Sequence, residues 1–217
     1  LFRSVISITG TNALCTGQTL TLNANGASTY TWNTNSNANS IVVTPTSNVS
    51  YSLNGRSAVG CAGNTATLAV TVYSLPVLSI SGNAFICNGN TTTLTVSGAN
   101  TYTWNTNANS NSITVSPTVN TSYTTTGTDN NGCVNTTVKT VTVNAIPQLS
   151  ITGLAAICSG DSKTLTVSGA GTYTWSTGSN GTSVVVTPTL SSGMYTLSVS
   201  GTSTAGCTDR KSTRLNS

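Results

Sequence analysis

The 217-residue chain has no histidine and no glutamate, and its three acids are Asp129, Asp161 and Asp209. General acid-base catalysis near neutral pH draws on histidine and on carboxylates. Hydrolase, lyase and transferase chemistries therefore have almost nothing to run on, and no catalytic residue is assigned. Metal sites need clustered His, Cys or carboxylate ligands. The six cysteines fall in separated pairs without Cys-x-x-Cys spacing, so neither a metal nor any other cofactor is expected. No run of about 18 apolar residues occurs, which argues against direct membrane insertion. Only 5% of residues are charged, which leaves solubility to Thr, Asn and Ser.

Two terminal stretches read as foreign. Leu1-Phe2-Arg3-Ser4 and Asp209-Arg210-Lys211-Ser212-Thr213-Arg214-Leu215-Asn216-Ser217 look like in-frame translations of the adapters ligated to DNA for short-read sequencing, as in a metagenomic fragment. The native segment is then 5–208, cut from the middle of a longer gene, with anchoring and targeting segments lying beyond both ends. Removing Arg3, Asp209, Arg210, Lys211 and Arg214 leaves Arg56, Lys139 and Lys163 against two acids. The net charge falls from +4 to +1. No basic patch remains, and nucleic acid is not expected as a partner.

Self-similarity is the strongest signal present. Cys15, Cys87 and Cys158 each open a Cys-x-Gly turn, about 71 residues apart, and Trp32, Trp104 and Trp175 follow 17 residues later within Thr-Tyr-Thr-Trp. Second cysteines, Cys61, Cys133 and Cys207, each follow a glycine. Between these markers aliphatics and hydroxyls alternate, as in Thr19-Leu20-Thr21-Leu22, Thr93-Leu94-Thr95-Val96 and Thr164-Leu165-Thr166-Val167. Period two puts one kind on each face of a half-buried strand. Asn, Gly and Ser clusters separate the strands as turns, among them Asn54-Gly55-Arg56-Ser57. Pro76 and Pro147 stiffen short extended linkers. The expected architecture is all-β: three tandem small antiparallel β-sandwiches, at 5–75, 76–146 and 147–208, arranged as an elongated rod.

An even cysteine count at regular intervals implies a disulfide framework made in an oxidising compartment, hence an extracellular or cell-surface protein. Separations of 46, 46 and 49 residues recur with the repeat. They suggest Cys15–Cys61, Cys87–Cys133 and Cys158–Cys207, one bridge inside each repeat. Closing a loop of about 47 residues would stabilise a small sandwich by roughly 4 kcal/mol in the chain-entropy description. Tyr30/Trp32, Tyr102/Trp104 and Tyr173/Trp175 share strand parity and recur in every repeat, which reads as core packing rather than a sugar-stacking platform. The third repeat keeps only Thr208 of its last strand. The segment 209–217 is expected to pair poorly and to bury less than 135–143.

The Cys-Trp-Cys order resembles the immunoglobulin superfamily, although here the first cysteine precedes strand B and the second lies in a Gly-Cys turn. The resemblance is closer to the Ig-like repeats of large surface adhesins and gliding-associated secreted proteins of Bacteroidota, which carry Cys-x-Gly, a Thr-Tyr-Thr-Trp-like strand, an Ile/Val-x-Val-x-Pro strand and Gly-Cys. That resemblance implies a structural or adhesive repeat segment, a stalk or spacer in a large secreted bacterial cell-surface protein. Its implied partners are neighbouring repeats of the same parent chain, together with surface glycans or host and matrix proteins. The competing reading is a ligand-binding repeat that recognises a glycan or ice through outward Thr-rich sheet faces.

Overall fold

Strict alternation in the sequence becomes strict alternation of burial. In the computed structural model, which describes residues 5–153, 157–158, 160–188 and 194–216, Leu20, Leu22 and Ala24 point inward while Thr21, Asn23 and Asn25 point out. Residues 1–4, expected to be a foreign segment, and residue 217 lie outside the described residues.

The first repeat contains β1 (Ser7–Thr9), β2 (Ala13–Cys15), β3 (Leu20–Asn25), β4 (Thr29–Trp32), β5 (Ser40–Val43), β6 (Val49–Arg56) and β7 (Ala66–Tyr73). They form a three-stranded sheet, β1-β3-β5, and a four-stranded sheet, β2-β7-β6-β4. All these pairings are antiparallel except β2 on β7, which is parallel. Leu22, Trp32, Leu53 and Val70 fill the space between the sheets at 2% exposure or less. Each such leucine contributes about 2 kcal/mol by leaving water.

The second repeat supplies β8 (Ser79–Ser81), β9 (Phe85–Cys87), β10 (Thr92–Ser97), β11 (Thr101–Trp104), β12 (Ser112–Val115), β13 (Thr121–Thr128) and β14 (Val134–Asn144), in the orders β12-β10-β8 and β11-β13-β14-β9. The third supplies β15 (Ser150–Thr152), β16 (Lys163–Ser168), β17 (Thr172–Trp175), β18 (Ser183–Val186), β19 (Met194–Thr202) and β20 (Thr208–Asn216), in the orders β15-β16-β18 and β17-β19-β20. The counterpart of β2 and β9 in this repeat would fall at 154–158, partly outside the described residues. No helix occurs among the described residues, and the fold is a series of immunoglobulin-like β-sandwiches.

The chain divides into two compact units. One comprises Leu1–Ile80, Thr95–Asn111 and Thr124–Val138; the other comprises Ser81–Leu94, Ser112–Tyr123 and Lys139–Ser217. The middle repeat therefore contributes to both, and each disulfide lies wholly inside one unit.

The expected disulfide pairing is wrong. Cys15 is bonded to Cys133 and Cys87 to Cys207, with Cα–Cα distances of 5.6 Å in both, while Cys61 and Cys158 are free. Within one repeat the two cysteines sit at opposite ends of the final strand. Cys15 is level with Tyr73 at the far end of β7, and Cys61 lies in the turn before β7 begins. Eight residues at about 3.3 Å each put them on the order of 25 Å apart, beyond the reach of any disulfide. A constant offset from the first cysteine of one repeat to the second of the next satisfies the periodicity as well as the intra-repeat offset does.

The tail also departs from expectation. Residues 208–216 form β20, paired with β19 from Thr202↔Thr208 to Met194↔Asn216, and Leu215 is 2% exposed where Val141 is 0%. The third repeat thus has its last strand. Ladder hydrogen bonds come from backbone that any non-proline residue supplies, and one large apolar side chain at the inward position is enough to seat the edge. The tail's polar groups find partners as well: Leu149 N–H donates to Asp209 Oδ2, Lys211 Nζ to Leu149 O and Arg210 Nη2 to Ser198 Oγ. Asn54-Gly55-Arg56, expected in a loop, belongs to β6.

Candidate functional site

The chemistry of this chain is concentrated in its cysteines. Cys15 ends β2, where Thr16 N–H and Thr16 Oγ1 both donate to Tyr73 O and fasten the strand end to β7. Cys133 follows Gly132 in a tight turn: Asp129 N–H donates to Cys133 O, Gly132 N–H to Asp129 O, and Cys133 N–H to Asp129 Oδ1. Gly132 has φ +79°, as Gly60 has +84° and Gly206 +81°. This left-handed turn is the reason a glycine precedes each second cysteine. Cys87 ends β9 level with Asn144 of β14, and Cys207 occupies a Gly-Cys turn closed by Ser203 in the same way. Both second cysteines in the bridges are 0% exposed.

The aromatic residues singled out in the sequence lie inside the sandwiches. Trp32, Trp104 and Trp175 are each 1% exposed, and their indole N–H groups donate to Ala38 O, Ser110 O and Gly181 O. Tyr30 and Tyr173 are buried and Tyr102 is half-buried. Each phenol accepts from and donates to the backbone of an alanine three residues earlier, Ala27, Ala99 or Ala170, and so clamps the turn before its own strand. Burial pushes the Tyr51 and Tyr123 phenols above their ordinary pKa.

Sequence reasoning missed the glycines facing these tyrosines. Tyr30, Tyr102 and Tyr173 pair across the ladder with Gly55, Gly127 and Gly201. A Cβ on Gly127 would stand 2.7 Å from Leu78 Cδ2 and 3.0 Å from Ala99 Cβ, so only a bare backbone fits. The available signal was an isolated glycine inside an alternating strand, which marks a close approach. Asn48 and Asn120 were also missed: their Oδ1 atoms accept from Val72 and Val143 N–H and hold the last strand.

Two surfaces bear on ligand recognition. Thr21, Thr93 and Thr164 stand exposed on β3, β10 and β16. Some outward threonines are already engaged, as in Thr93 Oγ1 with Thr114 Oγ1 and Thr152 Oγ1 with Thr166 Oγ1. An open groove of about 820 Å³ in the second repeat is lined by Val96, Tyr102, Thr103, Asn109 and Asn111 among others, with no charged residue. Among the described residues no cluster of His, Cys, Asp or Glu could hold a metal ion.

No protein family matches the chain, and no curated protein does. Solved structures overlay along nearly its whole length. One concerns host cell surface retention of a 1.5-MDa bacterial ice-binding adhesin: 16% identity, 99% of this chain, 98% of that one, TM-score 0.35. Another is the three N-terminal domains of the bacteriophage RB49 highly immunogenic outer capsid protein: 12% identity, 100% and 98% coverage, TM-score 0.38. A third is Drosophila OTK, extracellular domains 3–5: 10% identity, 99% and 96% coverage, TM-score 0.36. These TM-scores are low, so the overlays transfer neither a ligand nor a role to this chain.

Proposed function

We propose that this chain is a non-catalytic spacer segment of a secreted surface protein, of the kind its motifs resemble in Bacteroidota, in which repeats at 5–75, 76–146 and 147–216 are covalently coupled across their linkers. The observation that carries this reading is the direction of the bridges. Cys15–Cys133 closes over the extended linker at 74–78, and Cys87–Cys207 over the linker at 145–149. A bridge inside a repeat would staple that repeat and leave the linker to bend and carry load. A bridge across the linker ties two repeats together and shortens the covalent path between the chain ends. Acid-base chemistry has almost nothing to run on beyond three aspartates, and within 5–208 the basic residues Arg56, Lys139 and Lys163 lie far apart in the sequence.

Two measurements test it. A protease site placed in 74–78 should yield a cut chain that stays one covalent species until it is reduced. Pulled from its ends, the oxidised chain should extend through about 65 residues of backbone, roughly 230 Å, against roughly 740 Å after reduction. Halves that separate without reductant, or equal extension in both states, would overturn the spacer reading. Saturable binding of a glycan or of ice by the intact chain, lost on replacing Thr21, Thr93 and Thr164, would move the assignment to the ligand-binding alternative.

A further inference from the structure

The described aromatic residues are buried or half-buried with one exception: Phe85, on β9, is 69% exposed. Two residues before the first cysteine the other repeats carry Ala13 and Ala156, so the repeat pattern itself does not call for an aromatic there. Period two puts the side chains of Phe85 and Cys87 on one face of β9, and Cys87 is level with Asn144 on β14. Beside them opens a cleft of about 190 Å³, lined among others by Asn83, Phe85, Cys87, Asn90, Asn144 and Ala205, with no charged residue. All of it lies within the second compact unit. The backbone carbonyls of Asn83 and Asn144 accept from Thr92 Oγ1 and Asn88 N–H, and Asn90 N–H donates to Cys87 O. Among the described residues the side-chain amides of these three asparagines have no partner. The first repeat uses the matching position differently: Gln18 Oε1, three residues after Cys15 as Asn90 is after Cys87, accepts from Cys15 N–H. Ala205 is likewise a smaller side chain than Asn131, which stands two residues before the preceding second cysteine.

We propose that this cleft binds one neutral pyranose ring, the terminal hexose of a glycan, with Phe85 as the stacking platform and Asn83, Asn90 and Asn144 as partners for its hydroxyls. The face of an aromatic ring carries negative charge density and attracts the weakly positive C–H bonds that line one face of a pyranose. The contact also removes apolar area of both from water. Sugar hydroxyls need neighbours that donate and accept, and a primary amide does both. A phosphate or carboxylate would find no cation to pair with. Sites for drug-sized ligands begin at about 300 Å³, so this smaller cleft takes a single ring rather than an extended chain. The site is separate from the outward threonine rows. It goes beyond the spacer reading and shares with it only the Cys87–Cys207 bridge, which joins Phe85 of the second repeat to Ala205 of the third.

Titration of the full chain with methyl β-D-glucopyranoside and with methyl β-D-galactopyranoside, followed by amide NMR, tests it. Saturable shifts at Asn83, Phe85, Asn90 and Asn144 are expected with at least one of the two sugars, at millimolar affinity. F85A, which copies the residue of the other repeats, should weaken binding about tenfold or more, and F85W should retain it. N90A should also weaken it, with thermal unfolding of all three variants close to that of the unaltered chain. Replacing Thr21, Thr93 and Thr164 should leave binding unchanged. No saturable shift with either sugar, or equal affinity in F85A, would overturn the proposal. Self-association of the chain that F85A abolishes, without sugar binding, would make Phe85 a protein contact and overturn it too. Non-reducing peptide maps of the same sample separate its failure from that of the spacer reading: an intact Cys87–Cys207 bridge without sugar binding would sink only the pyranose site, whereas Cys87–Cys133 would sink both.

Discussion

Cys15 and Cys133 stand 118 residues apart in the chain and 5.6 Å apart at their Cα atoms, because β2 delivers the first cysteine of one repeat to the Gly-Cys turn of the next. Peptide mapping under non-reducing conditions should recover Cys15 with Cys133 and Cys87 with Cys207. Replacing Cys133 by alanine should lower stability by up to about 5 kcal/mol in the chain-entropy description of so long a loop. Thermal unfolding of C133A, compared with C61A as a control that breaks no bridge, measures this. Equal melting of the two variants would contradict the pairing.

The glycines opposite the tyrosines should be intolerant of a methyl group. A Cβ on Gly201 would stand 2.4 Å from Leu149 Cδ2, inside a core where Leu149 is 4% exposed. G201A should cost about 1–3 kcal/mol in urea unfolding, and trimming the neighbour in G201A/L149V should recover part of it. An unchanged urea midpoint in G201A would show that Leu149 moves aside at no cost.

Leu215 tests whether the tail is structural. Its burial on β20 predicts that L215A destabilises the third repeat by about 2 kcal/mol or more. Removing 209–217 should also expose the edge of β19 to solvent and favour association. Chemical denaturation and light scattering read the two effects. A deletion that is as stable and as monodisperse as the full chain would show that β20 contributes nothing.

With no histidine and no glutamate, stability should be nearly flat from about pH 5 to 9. Tyr51 and Tyr123 hold their protons more tightly when folded than when unfolded, since burial disfavours the phenolate. Below the ordinary tyrosine pKa both states are neutral and nothing changes. Above about pH 10 the unfolded chain ionises first, and stability falls as pH rises. Y51F should shallow that alkaline decline, measured as unfolding free energy against pH. A stability step near pH 6 would contradict the account.

Much of the fold was legible because period-two alternation in Thr19-Leu20-Thr21-Leu22 admits one reading, and because three copies repeat it. The positions of Trp32, Trp104 and Trp175 followed from parity with their neighbours. The Tyr30–Gly55 contact was not legible, since nothing local says which strand a tyrosine will face. The role of Asn48 was hidden among many asparagines for the same reason.

The sequence by itself determined the repeat, the strands, the inward faces and the poverty of acid-base chemistry, because each depends on local pattern or on composition. Only the tertiary structure decided which cysteines meet. Spacing along a chain is compatible with every constant offset, while a disulfide needs two Cα atoms within a few ångströms, and that proximity is set by where β2 and β9 dock. The tertiary structure likewise decided that 208–216 forms a strand. Edge pairing is made by backbone atoms that all residues share, and a sequence reads side chains far better than it reads backbone opportunity.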